Sequence, residues 1–360
     1  MISKFQHTLN ILKERIYAQR AQGNLLLPGE RDLITELNTS RSTLRKVLKQ
    51  LENEKLVYRE KRATKIYAPK KQKYRYAYVV CGHIFSQSFW HQIYYLCWTV
   101  FQHQAQSRQF EVELLLLDPE EHSSAEIKEA VSRYDLLFIT TIPQQIFDTI
   151  KSSGKHMVLL DPLVKQEGNP LITLDNTKVG QLAAQILKDA GSKRVAVIYN
   201  KPPGVSSSVT HQQIRAEAFV KEGKKLKLEI EEFSFPTSFW RYVEVMHHYT
   251  SLLPERGFDG LFVTSDGKIE LIVSDILERK LCPDNFNLLA CATDGEAGKC
   301  FTPINALAMD YCRLAAELLK IIQLYEQDQY PKDYPPVFLP PIFQKGKTLR
   351  NSVTSIRRKK

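Results

Sequence analysis

LLLPGERDLITELNTSRSTLRKVLKQLENEKLVYREKRATKIYAP, residues 25–69, holds two short helical patterns and a hairpin in direct succession. Pro28 and Gly29 punctuate the start of a helix over Glu30–Leu37 whose buried side is Leu33, Ile34 and Leu37. Asn38–Ser40 supplies a turn and an N-cap for a longer helix, Arg41–Asn53. There Leu44, Val47, Leu48 and Leu51 fall at i, i+3, i+4 and i+7, one apolar stripe, while Arg41, Arg45 and Lys49 occupy the opposite face. Two apolar-rich runs, Leu56–Arg59 and Lys65–Ala68, flank the polar tip Glu60–Thr64 and read as a hairpin.

Upstream, Phe5, Leu9, Leu12 and Ile16 share a face of a helix predicted over Lys4–Gln22, which Gly23 and Asn24 end. Three helices followed by a hairpin make a winged helix-turn-helix. A cationic outer helix face behind a tight turn is the shape that lies in a DNA major groove, and the hairpin tip adds Lys61 and Arg62, suited to phosphates or a minor groove. Taken alone, the same segment also fits a solvated surface helix.

Charge separates these readings. Residues 1–75 hold 18 Lys+Arg against 7 Asp+Glu, a balance of +11, while the whole chain carries +10, so the remainder sums to about −1. The positive excess belongs to the N-terminal segment, as nucleic-acid binding requires. With 43% hydrophobic and 25% charged residues over 360, the composition excludes disorder, collagen and a membrane bundle and is large enough for two or three domains. No run approaches a membrane span, and MISKFQHTLNILKERIYAQR carries charges throughout where a secretory signal has an apolar core. A cytoplasmic location is the expectation. Cys81, Cys97, Cys282, Cys291, Cys300 and Cys312 show no CxxC spacing and no histidine cluster beside them, so reduced, mostly buried thiols and no metal are expected. No cofactor motif appears: GxGxxG, the P-loop, GxSxG and HExxH are all missing.

From Tyr76 onward short apolar runs alternate with amphipathic stretches. Strands are predicted at Tyr76–Val80, Val112–Leu117, Leu136–Ile139, Val158–Leu160, Val195–Ile198, Glu229–Phe233, Leu261–Val263 and Leu288–Ala292. Helices such as Thr177–Ala190, Gln212–Lys221 and Ile269–Lys280 lie between them, the βαβ alternation of parallel sheets covered on both faces. At this length two doubly wound lobes fit better than one. Such sheets take ligands at the carboxyl ends of their strands. Here Leu160 runs into Asp161, Val263 into Thr264, Ser265 and Asp266, and Ala292 into Thr293 and Asp294. Each carboxylate can serve a ligand hydroxyl or cap the next helix.

Residues 25–69 closely resemble the DNA-binding domain of the GntR family, with its LPSE-R-E-L-A, SR-T-x-R and L-x-x-x-G-L-I-Y-R pattern. The resemblance implies DNA contact through Arg31, Ser40, Arg41, Ser42 and Arg45, and through Lys61 and Arg62 in the wing. Arg62 and Thr64 stand near places where that family has glycines. The C-terminal region is similar to the effector domain of the LacI family, a two-lobed, periplasmic-binding-protein-like (type I) α/β fold. SQSFW resembles SNPFF, LDNTKVGQLAAQILKDAGSKRVAVI resembles V-DN---G--A---L---G---I--I, IRAEAF resembles R--GF, and VTSDGKIELIV resembles A-ND--A-G. RLAAELLKII and LPPIFQKG resemble the closing helix and strand. By that resemblance the effector contacts are Phe89, Trp90, Asp161, Arg215, Trp240, Ser265 and Asp294, a set that suits a polyol: carboxylates and a guanidinium for hydroxyls, indoles for a sugar's apolar face. Ser265 replaces the family's asparagine, and Cys312 a glycine of the closing helix.

The expected organisation is a DNA-binding domain over 1–68, a linker over 69–75, an effector-binding and dimerisation domain over 76–345 and a basic tail over 346–360. This combination resembles arabinose-type repressors. It implies a homodimer on double-stranded operator DNA, answering to a small molecule, most simply a sugar. A regulator that senses a nucleobase or peptide, and more remotely an enzyme on the two-lobed scaffold, are the rival readings.

Overall fold

The computed structural model describes residues 4–21, 25–54, 56–60, 63–66, 74–81, 92–118, 120–140, 142–161, 169–201, 210–235, 242–265, 269–278, 286–292, 297–298, 300, 302–330 and 334–349. The chain divides into two compact units, Met1–Gln72 and Lys73–Lys360.

The first unit comprises α1 (Lys4–Ala21), α2 (Glu30–Glu36), α3 (Arg41–Asn53) and the antiparallel pair β1 (Val57–Glu60) and β2 (Ala63–Ile66). The strands sit one to two residues away from the predicted runs and pair from Val57↔Ile66 to Glu60↔Ala63. The apolar stripes meet as the periodicity requires: Leu9, Leu12 and Ile16 of α1, Leu33 of α2, and Leu44, Val47, Leu48 and Leu51 of α3 close one core with Leu56, Val57 and Ile66. Asn38 takes a left-handed φ of 42° between α2 and α3, a conformation that asparagine tolerates better than most side chains. Leu25–Leu27 runs beside β2, with Ile66 N–H donating to the Leu25 carbonyl at 2.8 Å and Leu27 N–H to that of Thr64 at 3.1 Å.

The second unit contains two six-stranded sheets. The first orders its strands β4 (Val112–Leu117), β3 (Tyr76–Cys81), β5 (Leu136–Ile139), β6 (His156–Leu160), β7 (Leu171–Leu174) and β13 (Val337–Leu339), every neighbouring pair parallel. The second runs β9 (Glu229–Phe235), β8 (Arg194–Asn200), β10 (Gly260–Val263), β11 (Asn287–Ala292), β12 (Asn305–Ala308) and β14 (Ile342–Gln344), with only β14 antiparallel. Helices α4 (Gln92–Ser107), α5 (Ser124–Ser132) and α6 (Gln144–Ser152) belong to the first lobe's βαβ units, and α8 (His211–Lys225), α9 (Tyr242–Glu255) and α10 (Ile269–Glu278) to the second's. The chain passes between lobes through α7 (Asn176–Asp189), returns through α11 (Tyr311–Glu326), and crosses again from β13 to β14. Strand ends from both lobes are thereby held beside one another, which is the arrangement a ligand cleft needs.

Burial follows from the sequence's continuous apolar runs. Strands β3, β5, β10 and β11 are buried along their whole length, as sheets covered on both faces must be. One core fills the inner faces of the sheets with α4, α7 and α11, including Phe101, Phe138, Val197, Phe219 and Leu318. Separate cores cover the outer faces, around Ile146 and Phe147 in the first lobe and Met246 and Ile272 in the second. Residues 346–349, the start of the expected tail, are tied to the second lobe: Asn305 Oδ1 accepts from the backbone N–H of Thr348 at 2.8 Å and of Leu349 at 3.1 Å.

Candidate functional site

In the first unit the candidate site is the outer face of α3. Ser40, with φ −81° and ψ 153°, caps the helix by accepting the Thr43 N–H at 3.1 Å. Its hydroxyl also lies 3.0 Å from that of Ser42 and 2.9 Å from that of Thr43, so the predicted serines shape the helix start. With the leucine stripe buried, Arg41 and Arg45 stand exposed on the opposite face, and Arg31 is exposed in the first turn of α2. Glu30 was not among the expected contacts, yet it organises this face. One carboxylate oxygen pairs with Arg59 of β1, and the other lies 3.6 Å from Arg45 Nε. Arg59 Nε in turn lies 3.7 Å from Glu52 of α3. Exposed pairs of this kind stabilise little, typically under about 1 kcal/mol, but they limit where the Arg45 guanidinium can point. The sequence signal was the glutamate of LPGE itself. Lys61 and Arg62 lie outside the described residues.

In the second unit Asp161 and Arg215 border the first turns of α8, and Ser265 follows the residue whose carbonyl Arg215 bonds. Asp161 leaves β6 with φ 48° and is 8% exposed. Its Oδ1 accepts the Thr173 hydroxyl from β7 at 2.5 Å, and its Oδ2 lies 3.2 Å from Nδ1 of His211, the first residue of α8. Arg215, one turn further along α8, is 3% exposed. Its Nε donates to Asn176 Oδ1 of α7 and its Nη1 to the Thr264 carbonyl at the end of β10, both at 2.7 Å. No carboxylate pairs with this guanidinium among the described residues. Ser265, half-buried, follows Thr264 directly. At the end of β8, the buried Asn200 Oδ1 has no partner among the described residues. His211, Asn176 and Asn200 were absent from the expected set. His211 was discoverable as the residue one turn before Arg215 on the same helix face; the two asparagines carry no such mark. Phe89, Trp90, Trp240 and Asp294 lie outside the described residues.

Beneath Asp161 the cavity wall turns apolar and aromatic: Tyr78, Tyr94, Cys97, Leu160 and Ile172, with Met309 and Leu314 from the second crossing. Burial pushes the Cys97 thiol well up, and the Asp161 charge pushes it in the same direction. Burial likewise holds the Tyr78 phenol well above its ordinary range. Both groups are therefore neutral at physiological pH, and Cys97 is a poor nucleophile. Cys81, Cys97, Cys291 and Cys300 are buried free thiols and Cys312 is exposed; Cys282 lies outside the described residues. Among the described residues no group of three or more His, Cys, Asp or Glu could hold a metal, and no helix is long and apolar enough to cross a membrane.

Residues 6–64 match the family of bacterial regulatory proteins called the gntR family, and residues 184–341 match the periplasmic binding protein-like domain. The chain thus carries a winged helix-turn-helix of the kind found in gntR-family bacterial regulatory proteins, followed by a periplasmic-binding-protein-like domain. No curated protein matches it by sequence. Among solved structures it is similar to the transcription regulator CcpA of Lactococcus lactis, with a TM-score of 0.61 at 14% identity over 77% of this chain and 100% of that one. A LacI family transcriptional regulator from Arthrobacter sp. FB24 in complex with lactose gives 0.62 at 10% identity, over 77% and 100%. The lac repressor dimer bound to operator and the anti-inducer ONPF gives 0.58 at 13% identity, over 78% and 95%.

Proposed function

We propose that this protein is a cytoplasmic repressor of a sugar-utilisation operon that binds a palindromic operator as a homodimer and changes its affinity when a sugar occupies the cleft of the second unit. The observation that carries the DNA half is the exposed Arg41 and Arg45 pair on α3, placed opposite a fully buried leucine stripe and behind a serine cap. Arg31, Ser40, Ser42, Lys61 and Arg62 complete the proposed DNA contacts. A single winged helix reads too few base pairs for genomic specificity, and two-fold pairing presents two of them to two half-sites.

The sugar half rests on the polar set at the strand ends. Asp161, Arg215, Ser265 and Asp294 offer acceptors and donors to adjacent hydroxyls, and Phe89, Trp90 and Trp240 offer faces for a ring. The lactose complex of the Arthrobacter regulator supports that choice of ligand class. The buried, carboxylate-free guanidinium of Arg215 also favours a second reading, a regulator whose effector is a non-sugar with a strong acceptor, such as a nucleobase or peptide.

The test is operator binding by the full chain with Arg45→Ala. If Arg45 meets a base edge, the substitution weakens binding by about 1–3 kcal/mol. The wild-type affinity falls with salt at about 0.9 log per log for each phosphate contacted. An affinity flat in salt and untouched by the substitution refutes the DNA reading.

A further inference from the structure

The contact between Asp161 and His211 joins the two lobes. Asp161 follows β6 of the first sheet, and His211 opens α8 of the second. Their side chains are 11% and 18% exposed, so the 3.2 Å contact lies largely shielded from water, where an electrostatic contact is screened less than at the surface. Asp161 is fixed by its own lobe. Its positive φ is a conformation few side chains adopt, and the Thr173 hydroxyl from β7 occupies its other oxygen, leaving Oδ2 directed at α8. His211 is fixed by the other lobe. The Thr210 hydroxyl caps α8 by accepting the Gln213 N–H at 3.1 Å, and one turn on, Arg215 is anchored to α7 and β10.

We propose that His211 is a cross-cleft residue that tethers the lobes through Asp161, and that an effector bound between the strand ends must take over this contact. The proposal rests on the reading of this cleft as the effector site. It makes His211 a second reader of whatever meets Asp161: a ligand must offer a donor to the carboxylate and a partner to the imidazole, or bind at the expense of both. A ligand that satisfies only Asp161 would strand the imidazole at the cleft wall, which is a means of discriminating between molecules of equal size.

The experiment is hydrogen–deuterium exchange of the full chain, dialysed free of small molecules, as wild type, His211→Ala, His211→Gln, Asp161→Asn and the Asp161→Asn/His211→Ala double variant. Removing the imidazole from the second lobe is expected to speed exchange in the first lobe, at 156–161 and 171–174, by about fivefold, the equivalent of one ordinary polar contact. Asp161→Asn is expected to speed exchange at 210–216 of the second lobe. The double variant should exceed neither single change, and His211→Gln, whose amide can still donate, should fall between wild type and His211→Ala. Exchange at 195–198 and 261–263 reports whether each variant keeps its fold; if His211→Ala disturbs it, Asp161→Asn carries the test alone. Each substitution altering only its own lobe, or additive effects in the double variant, would overturn the tether. Because no effector is used, the tether can fail while the cleft remains the effector site. The cleft reading fails separately, if no small molecule alters operator binding.

Discussion

Gly180 lies in α7 where it packs on α8, and replacing it with alanine isolates what holds the helix that carries Arg215 in place. A Cβ built there would stand 2.2 Å from the Arg215 carbonyl oxygen, 2.7 Å from Ala218 Cβ and 2.7 Å from the Phe219 N, against 3.4 Å for ordinary contact. Two of these three neighbours are backbone, so no side chain can swing away, and α8 must retreat by roughly 1 Å. Forcing an extra methyl into a packed interior costs typically 1–3 kcal/mol, and a rigid helix places this site at the upper end. Alanine's better helix propensity returns about 1 kcal/mol. The net expectation is a loss of about 2 kcal/mol, which for a domain of this size lowers the midpoint of its thermal transition by roughly 4–8 °C.

The retreat has a functional reading as well. The displaced carbonyl belongs to Arg215, whose guanidinium holds Asn176 and Thr264 at 2.7 Å. Shifting α8 by about 1 Å lengthens both bonds beyond useful range, so effector affinity should drop in Gly180→Ala although Gly180 touches no ligand. Thermal unfolding followed by calorimetry, with operator binding measured at 20 °C as a control on the first unit, separates the effects. A Gly180→Ala protein as stable as wild type or more so would refute the packing argument, since only the propensity gain would then remain.

Two further substitutions test other parts of the second unit. Asn305, 4% exposed, takes the backbone of both Thr348 and Leu349 on one oxygen, so Asn305→Ala strands two donors and should cost about 2–4 kcal/mol, read by urea unfolding and by earlier proteolysis near 345–349. The Glu113 carboxyl is held below its usual range first by the Tyr134 hydroxyl and then by Arg75. A depressed carboxyl contributes stability above its unfolded pKa of about 4.3, and that contribution is lost as pH falls through the lower, folded value. Tyr134→Phe should therefore destabilise at pH 7 and much less near pH 3, by a small margin because Glu113 is half exposed. A deficit of equal size at both pH values would show that the hydroxyl acts by packing alone.

What could be read from the sequence depended on how far each signal reached along the chain. Helix α3 is amphipathic over several turns, and its stripe was sufficient to name its share of the core: Leu44, Val47, Leu48 and Leu51 are buried as their spacing requires. Strands such as Val112–Leu117 and Leu136–Ile139 coincide with their apolar runs because both faces are covered. Strands β7 and β12 gave no comparable signal. LITL is short and flanked by Pro170 and Asp175, and NALA begins with an asparagine whose amide is satisfied by residues more than forty positions away. A strand stabilised by such a distant partner has no local mark.

The site followed the same rule with a different outcome. Asp161 and Ser265 were marked by their positions at strand ends and Arg215 by family resemblance; Asp161 meets the start of α8 through His211, and Arg215 bonds the carbonyl that precedes Ser265. What they bond to was not legible, because each partner lies on another element: Thr173 on β7, Asn176 on α7, Thr264 at the end of β10, His211 at the start of α8. Those partners change the meaning of a substitution. A sequence reading makes Arg215 a ligand contact whose removal leaves the fold intact. A residue only 3% exposed, whose guanidinium is tied to α7 and to the end of β10, is also a structural bond, and Arg215→Ala would leave Asn176 Oδ1 and the Thr264 carbonyl without their donor. Loss of effector response in that variant is therefore informative only beside a measured stability. His211, whose side chain is more exposed and whose contact with Asp161 crosses to the other lobe, is the cleaner position at which to separate ligand reading from folding.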